Sequence, residues 1–200
     1  MYDESRFPRA LVLGILFAFL ISFAASLVIK AAKDSLSNPI IYATVPSFSF
    51  QKQDGNMFSR EHMKRRVWIV DFIFTNCQGA CPIMSGHMSK MYKLYGHSDK
   101  VHFLSISVDP NRDTMDVLQQ YSIAQGVTDK RWTFCRGPIE KVISVCEKGF
   151  FLPAENLPMG HSTKFVLVDE KMQIRGYYDA LINSDVEKLK TQVRELVRKL

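Results

Sequence analysis

The segment 67–74, with the sequence VWIVDFIF, constrains the fold of this chain more than any other stretch. It is a nearly continuous apolar run, rich in β-branched and aromatic side chains, which is typical of a strand buried on both faces. A loop at 75–81 follows. Pro82 then suits the first turn of a helix, because the N–H that proline lacks would have no intrahelical partner there. The pattern predicts a central strand leading through a short loop into a helix that stops at Gly96.

A second strand and helix follow in the same order. Residues 101–108 (VHFLSISV) repeat the buried-strand pattern, and Asp113 or Thr114 can cap the next helix. Near the C-terminus, a capping box of Ser184 and Glu187 is predicted to open a last helix. A hairpin precedes that helix, with strands at 164–168 and 174–178. This is the element order of the thioredoxin fold, although many other α/β domains share most of it.

A β-hairpin is predicted before the central strand. Residues 45–50 and 57–58 flank a polar segment, in which Asp54-Gly55 supplies the positive φ that a tight turn requires. We therefore expect an α/β domain with an N-terminal β-hairpin extension, and the cysteine loop between the central strand and its helix decides for the thioredoxin-like fold.

The N-terminal region contains 20 consecutive residues without a charge or a proline, enough for a helix to cross a bilayer. A cleaved signal sequence is the alternative, since Ser22 and Ala24 form a small-x-small pattern. The apolar run is longer than the roughly 7–15 residues of a secretory signal, which favours a retained anchor. Basic residues flank both ends, so charge does not set the orientation. The predicted parts are a tail at 1–9, a transmembrane anchor at 10–29, a tether at 30–43 and a globular domain at 44–200.

Composition limits the remaining function classes. A chain of 200 residues with 46% hydrophobic content can bury one sizeable core. Its net charge of +6 is a mild bias, and its basic clusters lack the interleaved aromatic residues of a single-strand binder. We expect no nucleic-acid partner.

Two cysteines occupy the loop after the central strand. Cys77 and Cys81 are four residues apart at the mouth of a helix, whose N-terminal dipole stabilises thiolates. The commonest redox motif has two residues between its cysteines, whereas this loop has three. The wider loop can close a disulfide, and it also leaves space for an ion. Soft thiolates favour Cu(I) or zinc.

His161 is the candidate third ligand. It precedes the strand predicted at 164–168, and in a thioredoxin fold that loop lies beside the cysteine loop. Two sulfurs and one imidazole suit trigonal Cu(I), and would accept Cu(II) with an added weak ligand. Zinc would prefer a fourth ligand. Met159 is a candidate auxiliary ligand or lid.

The sequence resembles a known family at these positions. Residues 74–82 (FTNCQGACP) resemble the cysteine motif of the Sco/SenC family, and residues 107–114 (SVDPNRDT) resemble its Asp-Pro segment. The single histidine before the late strand also matches. The resemblance covers roughly residues 44–200, together with the N-terminal anchor.

The resemblance implies a thioredoxin-like domain on the outer side of the bacterial inner membrane, or in the mitochondrial intermembrane space of a eukaryote. It implies copper ligation, as Cu(I) or Cu(II), by Cys77, Cys81 and His161. The implied task is to deliver copper, or to reduce thiols, for the copper site of cytochrome c oxidase. The implied partners are the copper-bearing subunit of that oxidase or another copper chaperone.

The chain departs from the family pattern in two respects. Gly160 stands where the family usually has an acidic residue before the histidine, so the residues that orient His161 should differ from those of the family. Cys135 and Cys146 are additional cysteines, and either a disulfide between them or two buried free thiols fits the sequence.

Other residues with acidic or metal-binding side chains have simpler interpretations. Asp71 lies within the central strand, and we expect a paired or partly exposed carboxylate rather than a buried acid near the thiols. Three methionines at helical spacing after the cysteines are soft donors that we expect to pack in the core: Met84, Met88 and Met91.

Three functions would use the same cysteines. The leading hypothesis is a copper metallochaperone, and the second is a thiol:disulfide oxidoreductase in which Cys77 and Cys81 are redox-active. A peroxidase is third, because peroxidatic cysteines also occupy helix starts. His161 discriminates among them, since a dithiol reductant can dispense with it and a copper site cannot easily do so.

Overall fold

The computed structural model describes residues 9–36 and 40–200. Residues 1–8 of the expected tail and 37–39 of the expected tether lie outside the described residues. The helices are α1 (Arg9–Leu36), α2 (Ala80–Leu94), α3 (Met115–Ala124), α4 (Ile139–Ser144) and α5 (Asn183–Lys199). The strands are β1 (Ala43–Thr44), β2 (Ser49–Lys52), β3 (Met57–Ser59), β4 (Val67–Ile73), β5 (Val101–Ser107), β6 (Trp132–Arg136), β7 (Lys164–Val168) and β8 (Gln173–Asp179).

The described strands form one mixed sheet in the order β1-β8-β7-β4-β5-β6-β2-β3. The strands β4, β5 and β6 are parallel neighbours, and β7 pairs antiparallel with β4 on the other side. Every residue of β4 and β5 is buried, as expected of strands covered on both faces. The carboxyl end of β4, where α/β folds place ligands, opens into the cysteine loop.

The predicted N-terminal hairpin is confirmed. The strands β2 and β3 pair antiparallel, and β2 extends the sheet beyond β6. Gly55 adopts a φ of +82°, and its N–H donates to the carbonyl of Lys52 at 2.9 Å. The side chain of Asp54 accepts from the N–H of Asn56 at 3.0 Å. The Asp-Gly pair therefore makes the tight turn that the sequence predicts.

The helix starts are only partly as predicted. The cap by Thr114 is confirmed, since its hydroxyl accepts from the N–H of Val117 at 3.3 Å. The capping box of Ser184 and Glu187 is wrong. The last helix already begins at Asn183, and Glu187 accepts from Lys190 instead of folding back. The turn after β8, in which the N–H of residue 182 donates to the carbonyl of residue 179 at 3.1 Å, starts the helix before Ser184 can cap it.

The N-terminal helix is longer than the sequence predicts. It continues past residue 29 to Leu36, so part of the stretch expected to be a tether is helical. Within it, Leu11–Lys30 has a mean hydropathy of 2.7 and is long enough to cross a membrane. This is a statement of length and composition, which a signal sequence would also satisfy. The chain separates into two units, Met1–Ile40 and Ile41–Leu200.

Candidate metal centre

Cys77, Cys81 and His161 come together at the carboxyl end of β4. Cys77 lies in the loop after that strand, Cys81 in the first turn of α2, and His161 in the loop before β7. The two sulfurs and a ring nitrogen all lie within 4.8 Å of one another, and Cys81 Sγ is 3.3 Å from His161 Nε2. Within residues 9–36 and 40–200, no other group of three or more histidine, cysteine or acidic side chains is arranged to hold a metal ion. Two thiols and an imidazole therefore lie close enough together to share one metal ion.

The two thiols have different surroundings. Cys81 is 1% exposed, and burial raises its pKa to about 12, with smaller contributions from Cys77 and Asp71. Burial thus raises the pKa of the Cys81 thiol, whereas the N-terminal dipole of α2 would lower it. Cys77 is only partly buried. An incoming ion or disulfide therefore reaches Cys77 more readily than Cys81.

The imidazole of His161 is oriented by its own loop. Its Nδ1 is 3.1 Å from the carbonyl oxygen of Ser162, which assigns the proton to Nδ1 and leaves the Nε2 lone pair facing Cys81. The ring of Phe74 meets it edge to face at 5.4 Å. Burial lowers the pKa of His161, which favours the neutral ring that binds metals.

The family model for SCO1/SenC matches residues 41–198. The chain belongs to the SCO1/SenC family. It is 29% identical over 192 residues to the SCO1 protein homolog of Bacillus subtilis (strain 168), which covers 93% of this chain and 95% of that protein.

Two solved structures place this Sco-family domain among thioredoxin-like proteins, which confirms the predicted fold class. BsSco, described as a cytochrome c oxidase assembly protein with a disulfide switch, has a TM-score of 0.70 at 29% identity, covering 80% of this chain and 95% of that one. Arabidopsis thaliana ScoI with copper bound has a TM-score of 0.66 at 24% identity, covering 79% and 100%. At that identity the second likeness shows the fold alone.

The departure of this Sco chain at Gly160 has a steric cause. A Cβ built on Gly160 would lie 2.1 Å from the backbone oxygen of Glu155, closer than any real contact. The N–H of Gly160 donates to the carbonyl of Asn156 at 3.0 Å, so the chain makes a tight turn just before the ligand. An acidic side chain at this position would require a different loop. Here the histidine is oriented by Ser162 instead.

Asp71 contradicts the expectation of a paired or partly exposed carboxylate. Its side chain is fully buried, and neither oxygen has a hydrogen-bond partner within normal limits. Burial raises its pKa to about 7, and the neighbouring hydroxyl of Ser105 opposes that shift. Its charge also acts on Cys81 and Tyr121. Asp71 is thus the buried acid near the thiols that we considered the less common alternative.

The remaining soft donors of the Sco domain lie outside the site. Cys135 and Cys146 are both free, buried thiols, and burial raises the pKa of each. Cys146 lies in a π-helical turn, with its sulfur 3.6 Å from the carbonyl oxygen of Leu152. Met159, two residues before His161 in the sequence, is 78% exposed. Three methionines pack in the core as predicted: Met84, Met88 and Met91.

The sequence predicts for Asp113 only a possible role as a helix cap. The structure shows it fully buried and bonded to Thr75, two residues before Cys77. The signal in the sequence was its place in the Asp-Pro segment, but nothing local relates that segment to the cysteine loop.

Proposed function

We propose that this chain is a membrane-anchored copper metallochaperone that delivers copper to, or prepares, the copper site of cytochrome c oxidase. The observation that carries the proposal is the convergence of Cys77, Cys81 and His161 within 4.8 Å in a Sco-family domain. Two thiolates and an imidazole form a soft set of three donors, which suits Cu(I) better than zinc or harder cations.

The geometry supports a cargo site rather than a sealed structural one. Cys77 is partly exposed, so it can make the first bond to an incoming ion and the last bond to a departing one. Cys81 completes the site from a buried position, and His161 is partly buried. Both cysteines lose their protons on ligation, and the neutral imidazole already presents its lone pair. Copper is then passed on by exchanging one ligand at a time.

A second candidate, a thiol:disulfide oxidoreductase, is supported by the difference between the two thiols. The more exposed Cys77 would attack a partner disulfide, and the buried Cys81 would resolve the mixed disulfide, leaving a Cys77–Cys81 bond. That same bond would remove two of the three copper donors. The two functions therefore alternate with oxidation state, and only the reduced chain should bind copper.

Replacing His161 by Ala separates the two functions. It removes one copper ligand and leaves both thiols in place, so we expect the copper affinity of the reduced chain to fall by more than ~100-fold, beyond the effect of altering a residue that merely supports a ligand. The disulfide-reductase rate should stay close to that of the native chain. Competition with a chromophoric Cu(I) chelator and a reductase assay on the same samples measure both quantities.

The control for this variant is His97→Ala, which removes an exposed histidine. It should change neither quantity. Unchanged copper affinity in the His161→Ala chain would contradict the copper proposal and favour the oxidoreductase.

We further propose that residues 10–29 are a retained inner-membrane anchor and that the domain at 44–200 faces the periplasm, or the intermembrane space in a mitochondrion. The apolar helix and the side on which an oxidase would receive copper support this orientation. Alkaline phosphatase fused after Leu200 should be active, since it folds only after export, whereas a cytoplasmic reporter at the same position should be inactive. The reverse pattern would contradict the proposed orientation.

A further inference from the structure

The carboxylate of Asp113 joins two strand ends beneath the cysteine loop. Its Oδ1 accepts from the hydroxyl of Thr75 at 2.5 Å, and its Oδ2 accepts from the hydroxyl of Ser107 at 2.5 Å. The N–H of Thr75 points between the two oxygens, at 3.2 and 3.3 Å. Thr75 follows β4 closely and Ser107 ends β5, so one fully buried side chain connects both central strands at the edge that carries the site.

These contacts match a carboxylate better than any other side chain. The hydrogen bonds to the Asp113 side chain are donated by Thr75 and Ser107, and a carboxylate can accept such bonds through both oxygens. A buried carboxylate without such partners would be costly, whereas one that accepts several charge-assisted bonds is well satisfied. Asp113 is itself held in place, because its N–H donates to the carbonyl of Asp109 at 2.9 Å and Thr114 caps α3 next to it.

We infer that Asp113 is the positioning residue for the copper ligand Cys77. The residue that it holds, Thr75, lies two positions before Cys77, and the N–H of Cys77 closes a turn onto the carbonyl of Phe74 at 3.4 Å. None of the recorded bonds of Asp113 involves Cys77, Cys81 or His161. It therefore acts through the backbone of the loop, by restricting where the Cys77 sulfur can lie.

The inference rests on the proposed copper function and assigns a role to the Asp-Pro segment. Without the carboxylate, Thr75 at the start of the loop loses its three hydrogen bonds to Asp113. The end of the loop at Cys81 remains fixed because Cys81 belongs to α2. Cys81 then stays in place and Cys77 moves more freely. A looser Cys77 should weaken copper binding and should also be more accessible to reagents in the metal-free chain.

Asp113→Ala tests this role in the full chain, purified in detergent and reduced. We expect the Cu(I) affinity to fall by at least ~10-fold, as is usual when a residue that orients a ligand is removed. We also expect alkylation of Cys77 in the metal-free chain to become several-fold faster. Asp113→Asn keeps the shape and an oxygen for Thr75 but turns an NH2 group toward the Ser107 hydroxyl, so it should restore part of both properties.

Two further variants complete the test. Asp116→Ala removes an equal charge from an exposed position of α3 and should leave both properties unchanged. Thr75→Val removes one hydroxyl donor with little change in shape, so it should reproduce part of the loss even if the Asp113→Ala chain does not fold.

The outcomes distinguish this inference from the proposed function. Native affinity and a native alkylation rate in folded Asp113→Ala or Thr75→Val chains would overturn the positioning role. If the native chain binds no copper, the proposed function fails, and the alkylation rates alone still decide whether Asp113 holds the loop. Slower or unchanged alkylation would then reject the inference, and faster alkylation would support it.

Discussion

The Cys77→Ser, Cys81→Ser double variant is expected to bind no copper, whereas the reduced native chain should bind one ion per chain. The substitution removes two of the three donors that lie within 4.8 Å of one another. A serine hydroxyl is a hard, neutral oxygen with little affinity for Cu(I), and one remaining imidazole cannot retain the ion against a competing chelator. Metal analysis after gel filtration, with thiol titration on the same sample, measures the copper content.

The matched control for that variant is the Cys135→Ala, Cys146→Ala chain. It also loses two thiols, but both are buried away from the site, so it should keep one copper ion per chain. Full copper content in the Cys77→Ser, Cys81→Ser chain would show that the site has been assigned to the wrong residues. Loss of copper in the control alone would lead to the same conclusion.

The parts of the fold that depend on local pattern could be predicted from the sequence. Burial on both faces requires an unbroken apolar run, so β4 and β5 are visible as VWIVDFIF and VHFLSISV. The Asp54-Gly55 turn is equally local, since its geometry depends on two residues. The convergence of the three candidate ligands required more: the element order indicated a thioredoxin fold, and that fold places the loop before β7 beside the cysteine loop.

What could not be predicted depends on contacts between distant segments. Asp113 and Thr75 are 38 positions apart, and nothing near either residue indicates that they bond. Gly160 is required by the backbone oxygen of Glu155, which only the folded turn brings within reach. The capping box failed for a related reason, since the turn after β8 already fixes where α5 begins.

Asp71 shows the same limit at the centre of the sheet. A single acid in an apolar run indicates a special residue, but the sequence does not reveal whether it has a partner. The structure places the adjacent strand residue Ser105 in register with it, but the Ser105 hydroxyl makes no hydrogen bond of normal geometry with the carboxylate. Both carboxylate oxygens therefore lack a hydrogen-bond partner, and we expect the stability of the fold to depend on the protonation of Asp71.

Asp71→Asn is expected to change how the stability of the metal-free, reduced chain depends on pH. Burial raises the pKa of Asp71 in the folded state to about 7, above its value in an unfolded chain. Between about pH 4 and pH 7 the folded chain therefore binds a proton that the unfolded chain releases. Stability then falls as pH rises through this interval, because the folded core must finally hold a charge.

A shift of about three pKa units corresponds to about 4 kcal/mol, of which about 3 kcal/mol should be lost between pH 5 and pH 8. Asparagine is neutral at every pH, so the Asp71→Asn chain should lack this loss and become the more stable protein at pH 8.

Urea unfolding followed by tryptophan fluorescence gives the free energy of unfolding, since Trp68 and Trp132 are both buried in the domain. Other titrating groups are present in both chains, and Cys81, whose pKa Asp71 also raises, stays protonated in the fold below pH 8, so the difference between the two pH profiles reports on Asp71. The exposed Asp116→Asn variant should follow the native profile. Parallel profiles for the native and Asp71→Asn chains would contradict this prediction, because they would mean that the pKa of Asp71 in the folded chain is close to its value in an unfolded chain.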